Sequence, residues 1–547
     1  MEKNKKITLL FLALMANVAA TLAAPRKFFV YFTDKNNSPY SILQPQNFLS
    51  ERAIARRTNQ NIAITTRDLP VNSSYVSQVQ ATGATVLYTS RWFNAAIVET
   101  DSSVLNTILQ LPFVAKSERL TLRHSGKNLF PERNLTAIKT ENYGLSQNQI
   151  QMLGADTMHA LGYRGEGMQV AILDAGFLGI NQHESFTHLF TNQQILGTYD
   201  FVARDSSVYE DHWHGAGVLS CMASYAPSKV IGTAFKAKYY LFRTENAATE
   251  YEIECANWAI AAEKADSLGV DVINSSLGYT SFDDASMNLT YNDLDGNKTI
   301  ITRAADYAAA TGMLVVSSAG NEGNNTAWGG FLSVPADGDS ILTVGAVNSA
   351  GNYVSFSSRG PTADGRIKPD VVAQGSAVAL VAAGTTNQYT TSSGTSFSSP
   401  LMAGLATSFW QANPTLNNYQ VIEALRNSGT NHLTPNNQIG YGIPSFVRAH
   451  QLLSNTPPKL DNQNSLVIAP TLVGNQPLML YVGTKHLGSE ANITLLEDTG
   501  KIIDKMHIAA ADFKNTLALK TQNLSKGIFM VRVEMGSTVQ VFRLLKQ

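Results

Sequence analysis

The chain has 547 residues, 44% of them apolar and 15% charged, with a formal net charge of −1 at pH 7. This length exceeds what one hydrophobic core organises, and the composition is that of a folded globular protein without low-complexity tracts. A charge so close to zero gives no reason to expect nucleic acid or an anionic membrane surface as a partner.

Residues 1–24, MEKNKKITLLFLALMANVAATLAA, set Lys3, Lys5 and Lys6 before an apolar stretch that closes on small residues. That pattern is a secretory signal, with cleavage expected near Ala23 or Ala24 and an exported product. No later segment is long and apolar enough to suggest a membrane span. Cys221 and Cys255 are the only cysteines, too few for a disulfide scaffold. They are expected to lie close in space, either as one bridge or, preferably, as two buried thiols, because a free cysteine packs well as a small hydrophobe.

RKFFVYFTDKNN (26–37) reads as a strand, PQNFLSERAIARR (45–57) as an amphipathic helix, GATVLYTSRWFNAAIVET (83–100) as two strands and SVLNTILQLPFV (103–114) as a helix. Together they predict a small α+β module, which with the polar linker RHSGKNLFPERNLTAIKTENY (123–143) gives a unit over 25–135. A different texture occupies 140–455. The apolar strands MQVAIL (168–173), VDVINSSLG (270–278), GMLVVSSAG (312–320) and ILTVGAV (341–347) alternate with helical runs such as IECANWAIAAEKADSLG (253–269). Continuous apolar strands between helices predict an α/β domain, a parallel sheet covered by helices on both faces, with its ligand at the carboxyl ends of the strands. A break at LLSNTPPKL (452–460) precedes the short alternating strands LMLYVG, NITLLED, GIFMVRVEM and VQVFRLL, which predict a separate all-β sandwich over 456–547.

Four polar residues stand out at the ends of the central strands and helices. VAILDAG (170–176) runs into Asp174, a carboxylate that burial would not tolerate without a partner. DHWHGAGVLSCMAS (211–224) puts His214 at an apolar helix start, VVSSAGNEG (315–323) sets Asn321 among glycines, and SGTSFSSP (393–400) brings Ser396 to the mouth of a helix. Three have a structural reading of their own, an N-cap or turn carboxylate, a turn asparagine and a capping hydroxyl, and for the histidine the choice lies between His212 and His214, of which His214 directly precedes GAGVLS. Together they are the groups of acyl transfer, in which a carboxylate orients an imidazole, the imidazole takes a serine proton and an amide binds the oxyanion. His212 and His214 also form an H-x-H pair, but no spacing supplies a third metal ligand.

The order Asp174, His214, Asn321, Ser396 resembles that of the subtilisin-like serine proteases, the subtilases. Further motifs carry the resemblance: YGLSQNQIQMLGADTMHALGYRGEGMQVAILDAG (143–176), HGAGVLS, DVINSSLG, SAGNEG, FSSRGPTADGRIKPDVVAQG (356–375) and GTSFSSP. It implies a subtilisin-like peptidase domain and a secreted serine endopeptidase. Ser396 would be the nucleophile, His214 the base, Asp174 its orienting carboxylate and Asn321 an oxyanion donor. Ser276, Leu277, Gly278 and Gly320 would bind a protein or peptide substrate. No organic cofactor or catalytic metal is implied. The family often binds structural calcium, yet DLDGN (293–297) has Ala304 where a calcium loop of this kind carries an acidic residue. Three positions depart from the common pattern: Gly217 where many relatives have a second histidine, Gln374 where proline is frequent, and bulky Tyr279 beside the expected substrate pocket. The competing reading is a subtilase-fold surface protein that binds without catalysis; an esterase is less favoured, since no G-x-S-x-G elbow occurs.

The N-terminal module resembles a subtilase propeptide, which implies an intramolecular chaperone and inhibitor released by cleavage between about Leu120 and Tyr143. The C-terminal region, through GKII, LSKGIFMVRVE and FRLLKQ, resembles the sorting domain of bacterial type IX secretion. That likeness implies secretion machinery as a partner and a destination at the cell surface or in the medium.

Overall fold

The computed structural model describes residues 25–120, 142–454 and, within 466–546, all but short stretches at 470–471, 474–477, 483–485, 487, 498, 511–515, 522–523 and 526. The signal-like segment and almost all of the linker lie outside the described residues. In the N-terminal module, β1 (Arg26–Phe32), β2 (Thr85–Ser90), β3 (Ala95–Thr100) and β4 (Val114–Arg119) form an antiparallel sheet ordered β2-β3-β1-β4, whose inner strands β1 and β3 are apolar on both faces. Side-chain caps start its helices: Ser50 for Glu51–Asn59, Asn72 for Ser73–Ala81 and Asp101 for Ser102–Leu109. Helix Ser73–Ala81 escapes sequence reading because SSYVSQVQA has little apolar periodicity. Phe28, Val30 and Phe32 face the module's own core. Their neighbours Phe29 and Tyr31 point the other way and join a core of the central domain.

The central sheet has seven parallel strands in the order β13-β12-β11-β10-β5-β9-β6. These are β5 (Gln169–Asp174), β6 (Ile195–Asp200), β9 (Lys238–Arg243), β10 (Val272–Ser275), β11 (Leu314–Ser318), β12 (Leu342–Val347) and β13 (Val371–Gln374), with a small hairpin, β7 (Tyr225–Ala226) and β8 (Val230–Ile231), between β6 and β9. The inner strands β5, β10, β11 and β12 are buried on both faces, which is why they read as apolar runs. Val170 and Ile172 of β5 belong to one core, covered by helices His214–Ala223 and Thr395–Ala412. Ala171 and Leu173 belong to the other, covered by helices Glu252–Leu268 and Ile300–Ala310 and by the N-terminal sheet. Chain order reverses at β5: β9 and β6 lie to one side, β10 to β13 to the other. In sheets of this kind the carboxyl ends beside such a reversal are where a ligand binds.

Cys221 packs in the first core and Cys255 in the second, and both are free thiols. The expectation that they are close is therefore corrected. The sheet lies between them, because the helices carrying them cover opposite faces. In the C-terminal region, strands Leu466–Ala469, Leu478–Val482 and Thr516–Leu519 form one sheet, and a five-stranded sheet centred on Gly527–Met535 forms another. Leu480 of the first and Val531 and Val533 of the second share one core. Among the described residues, no helix is long and apolar enough to cross a membrane.

Candidate active site

Asp174 closes β5 at the reversal point and is fully buried. Its Oδ1 accepts hydrogen bonds from the Ala175 N–H at 2.8 Å and from the His214 ring, whose Nδ1 lies 2.8 Å away. His214 opens the helix His214–Ala223, which comes this close because its second residue is Gly215. A Cβ there would stand 2.3 Å from the Gly176 carbonyl oxygen. Burial presses the imidazolium down, but the Asp174 carboxylate more than offsets it and holds His214 above the ordinary histidine range. The pair therefore has an oriented imidazole with Nδ1 engaged and Nε2 left for chemistry. His212 does something else: its Nδ1 accepts the His214 backbone N–H at 3.4 Å, and burial lowers its affinity for a proton.

Ser396 is the second residue of helix Thr395–Ala412 and is almost buried. Pro400, four residues on, has no N–H to give, so the Ser396 carbonyl lacks its helical donor. Ser276 supplies one instead, its Oγ donating to that carbonyl at 2.8 Å. In return Ser396 Oγ donates to the Ser276 carbonyl at 3.3 Å. No hydrogen bond between His214 and Ser396 occurs among the described residues. The His214 ring instead lies 5.8 Å, centroid to centroid, from that of Phe397, the residue after the serine. In this structure the Ser396 hydroxyl is thus engaged by the Ser276 carbonyl and not by the His214 ring.

Asn321 sits just beyond β11. Its Oδ1 accepts from the Thr395 N–H at 2.9 Å and the Thr395 hydroxyl at 3.1 Å, which leaves Nδ2 pointing away as a donor. Thr395 Oγ1 accepts in turn from the Gly320 N–H at 3.2 Å. Nδ2 of Asn321 and the Ser396 N–H both lie 3.7 Å from where a Cβ on Gly394 would be. Two N–H donors thus converge beside the serine at a helix N-terminus, an arrangement suited to a developing oxyanion.

The segment after β10 forms the rim. Ser276 is buried, Leu277 half-buried and Gly278 exposed. Gly320 faces them with φ +103°, and the Ser333 side chain fills the gap: a Cβ on Gly278 would lie 2.7 Å from Ser333 Cβ, one on Gly320 2.4 Å from its Oγ. Tyr279 turns away from this slot. It is 1% exposed, stacks on Phe282 at 5.8 Å and donates its hydroxyl to Glu245. The other departures also have local reasons. The space a side chain at 217 would take is bounded by Phe397 and Leu380 at 3.3 and 3.4 Å, and Gln374 accepts from Asn148 Nδ2 at 2.7 Å.

The DLDGN loop does not fit a calcium ion, which needs six to eight converging oxygens. Asp293 is engaged by the Thr290 N–H at 2.6 Å, the Thr290 hydroxyl at 2.7 Å and Lys298, and Asp295 by the Asn297 N–H at 2.9 Å. A carboxylate group that sequence reading missed, Glu245, Glu250 and Glu254, has ligand atoms within 4.8 Å of one another. Only the folding of the 245–254 turn onto its own helix brings them together. Burial and mutual repulsion push Glu245 up to about 8 and Glu254 to about 11.

The N-terminal module binds behind this site, on helix Glu252–Leu268. Asp266, fully buried, pairs with Arg56, with Arg57 at 2.9 Å and with Arg91 at 2.6 Å. Glu263 accepts from Ser90 Oγ and from the N–H groups of Arg91 at 2.8 Å and Trp92 at 3.2 Å.

Comparison with known proteins agrees with this architecture. A model of the subtilase family matches residues 165–442, and one of the peptidase S8 propeptide domain of Bacteroidota matches residues 27–133. Subtilisin DY of Bacillus licheniformis is 31% identical over 283 residues, covering 52% of this chain and 90% of that protein. Subtilisin E of Bacillus subtilis (strain 168) is 28% identical over 346 residues, covering 62% and 76%. Among solved structures, the MycP3 protease from the type VII (ESX-3) secretion system is similar at 20% identity and a TM-score of 0.45, covering 57% of this chain and 90% of that one. With the family's peptidase domain spanning half its length and a propeptide domain ahead of it, the chain belongs to the subtilase family of serine endopeptidases.

Proposed function

We propose that this protein is an exported endopeptidase that cleaves peptide bonds in protein substrates through an acyl-enzyme on Ser396. The observation that carries the reading is the 2.8 Å contact between the buried Asp174 and the His214 ring, at the mouth of the helix bearing Ser396. Ser396 Oγ attacks the scissile carbonyl carbon as His214 Nε2 takes its proton. Asn321 Nδ2 and the Ser396 N–H hold the oxyanion. As the C–N bond breaks, His214 returns the proton to the leaving amine. Water, deprotonated by the same imidazole, then splits the ester. Asp174 keeps the ring in the tautomer this requires. The substrate backbone lies along Ser276, Leu277 and Gly278 as an added strand, opposite Gly320.

The N-terminal module acts as inhibitor until the linker between about Leu120 and Tyr143 is cut. The signal-like N-terminus directs export, and the C-terminal β region engages secretion machinery of the type IX kind. Fluorophosphonate labelling with a casein digest tests the core of this reading. Wild type should label and digest, whereas Ser396→Ala should fold but lose at least about a thousandfold in activity. A folded wild type inert to both reagents would favour a binding protein instead.

A further inference from the structure

We propose that Glu245 and Tyr279 are positioning residues: their side-chain hydrogen bond holds the Ser276–Gly278 rim in the register at which it pairs with an extended substrate. The inference rests on the endopeptidase reading above.

The rim leaves the sheet after Ser275, where β10 ends, and its three residues have no sheet neighbour. It is held at its two ends. At Ser276 the reciprocal bonds with Ser396 tie it to the nucleophile. At Tyr279 the backbone pairs with Val334, N–H to carbonyl at 3.0 Å and 3.1 Å in the two directions. Gly278, between these anchors, is exposed, and a glycine carries no side chain to fix its place. What holds this end from the side is the Tyr279 phenol, stacked on Phe282 with its hydroxyl on Glu245 Oε1.

Glu245 connects this end to the catalytic strand. It follows Thr244, whose N–H donates to the Asp174 carbonyl at 2.9 Å and whose hydroxyl donates to Glu245 Oε1 at 3.2 Å. The phenol therefore couples the rim to the chain that pairs with Asp174, so that rim and triad share one frame. Packing alone does not call for this arrangement, since phenylalanine would fill the same apolar space. A buried hydroxyl instead demands a partner and fixes direction. Glu250 and Glu254 crowd the carboxyl, and burial together with Glu250 raises it to about 8, which favours its neutral form. Because Tyr279 points away from the slot, its bulk does not enter it, and the side chain standing between Gly278 and Gly320 is that of Ser333.

The test compares wild type with Tyr279→Phe, Glu245→Ala and Glu245→Gln, each matured from the full-length precursor. Two substrates are used: a tetrapeptide anilide that lies along the rim and a single-residue ester that does not. For Tyr279→Phe and Glu245→Ala, kcat/KM on the tetrapeptide should fall about five- to tenfold, mostly through KM, with the ester within about twofold. Glu245→Gln keeps an acceptor oxygen and should stay within about twofold of wild type on both. The double variant should be no worse than either single one. Equal losses on both substrates, no loss on the tetrapeptide, or a Gln variant as impaired as the Ala variant would overturn the proposal. A wild type inert to both substrates would overturn the endopeptidase reading first, and this one with it.

Discussion

Arg56→Ala in the propeptide should weaken its grip on the mature enzyme by about a hundredfold or more. Arg56 is 6% exposed and donates to Asp266, to the Val270 carbonyl and to the Thr311 carbonyl at 3.1 Å. Truncation leaves two carbonyls covered without this donor and a carboxylate short of one of three cations. Removing one partner of a buried pair costs about 3–5 kcal/mol, and each 1.4 kcal/mol is tenfold in affinity. The lower figure gives about two decades. The assay is the inhibition constant of propeptide 25–120, wild type or variant, added to mature enzyme cleaving a chromogenic peptide. A variant within tenfold of the wild-type constant would refute the reasoning, because it would mean Asp266 stays satisfied without Arg56. The sign of the pH effect gives a second check. Burial raises Asp266, and Arg91, Arg56 and Arg57 more than reverse it, so its bound-state pKa lies below the ordinary carboxylate value. A depressed bound-state pKa strengthens binding above the free value and loses that gain as pH falls. Propeptide inhibition should therefore weaken toward acid, and Asp266→Asn should flatten that slope.

Asn321→Ala should lower kcat by about a hundredfold or more with little change in KM, read from initial rates on a peptide anilide. A raised KM at unchanged kcat would assign Asn321 to substrate binding alone. Activity should fall as pH drops through the His214 pKa, which Asp174 holds above the ordinary histidine value; Asp174→Asn should remove that support and most of kcat, seen in a pH–rate profile. The stability linkage runs the opposite way, since a raised folded pKa stabilises the fold at low pH and the gain is lost as pH rises through it. Thiol titration should find two reactive cysteines in denaturant without reductant and almost none in the native protein, because Cys221 and Cys255 are both buried and unbridged.

Period, caps and motifs were enough to name the family, the α/β class and the alternation of strand and helix, because strands buried on both faces and residues such as Asp174, His214 and Ser396 leave local signatures. Two expected strands proved shorter: within 270–278 the strand runs over Val272–Ser275 and within 312–320 over Leu314–Ser318, and Ser276, Leu277 and Gly278 leave the sheet to form the rim. What required the tertiary structure lies between segments far apart in sequence. No pattern near Tyr279 says that its ring turns from the slot to Glu245, or that Ser333 fills the gap between Gly278 and Gly320. Nothing near Asp266 announces arginines from positions 56, 57 and 91. The two cysteines looked like neighbours on paper and lie on opposite faces of the sheet. Each of these outcomes depends on which elements the strand order β13-β12-β11-β10-β5-β9-β6 makes adjacent. Sequence periodicity reports which side of an element is buried, and only the packed sheet decides what it is buried against.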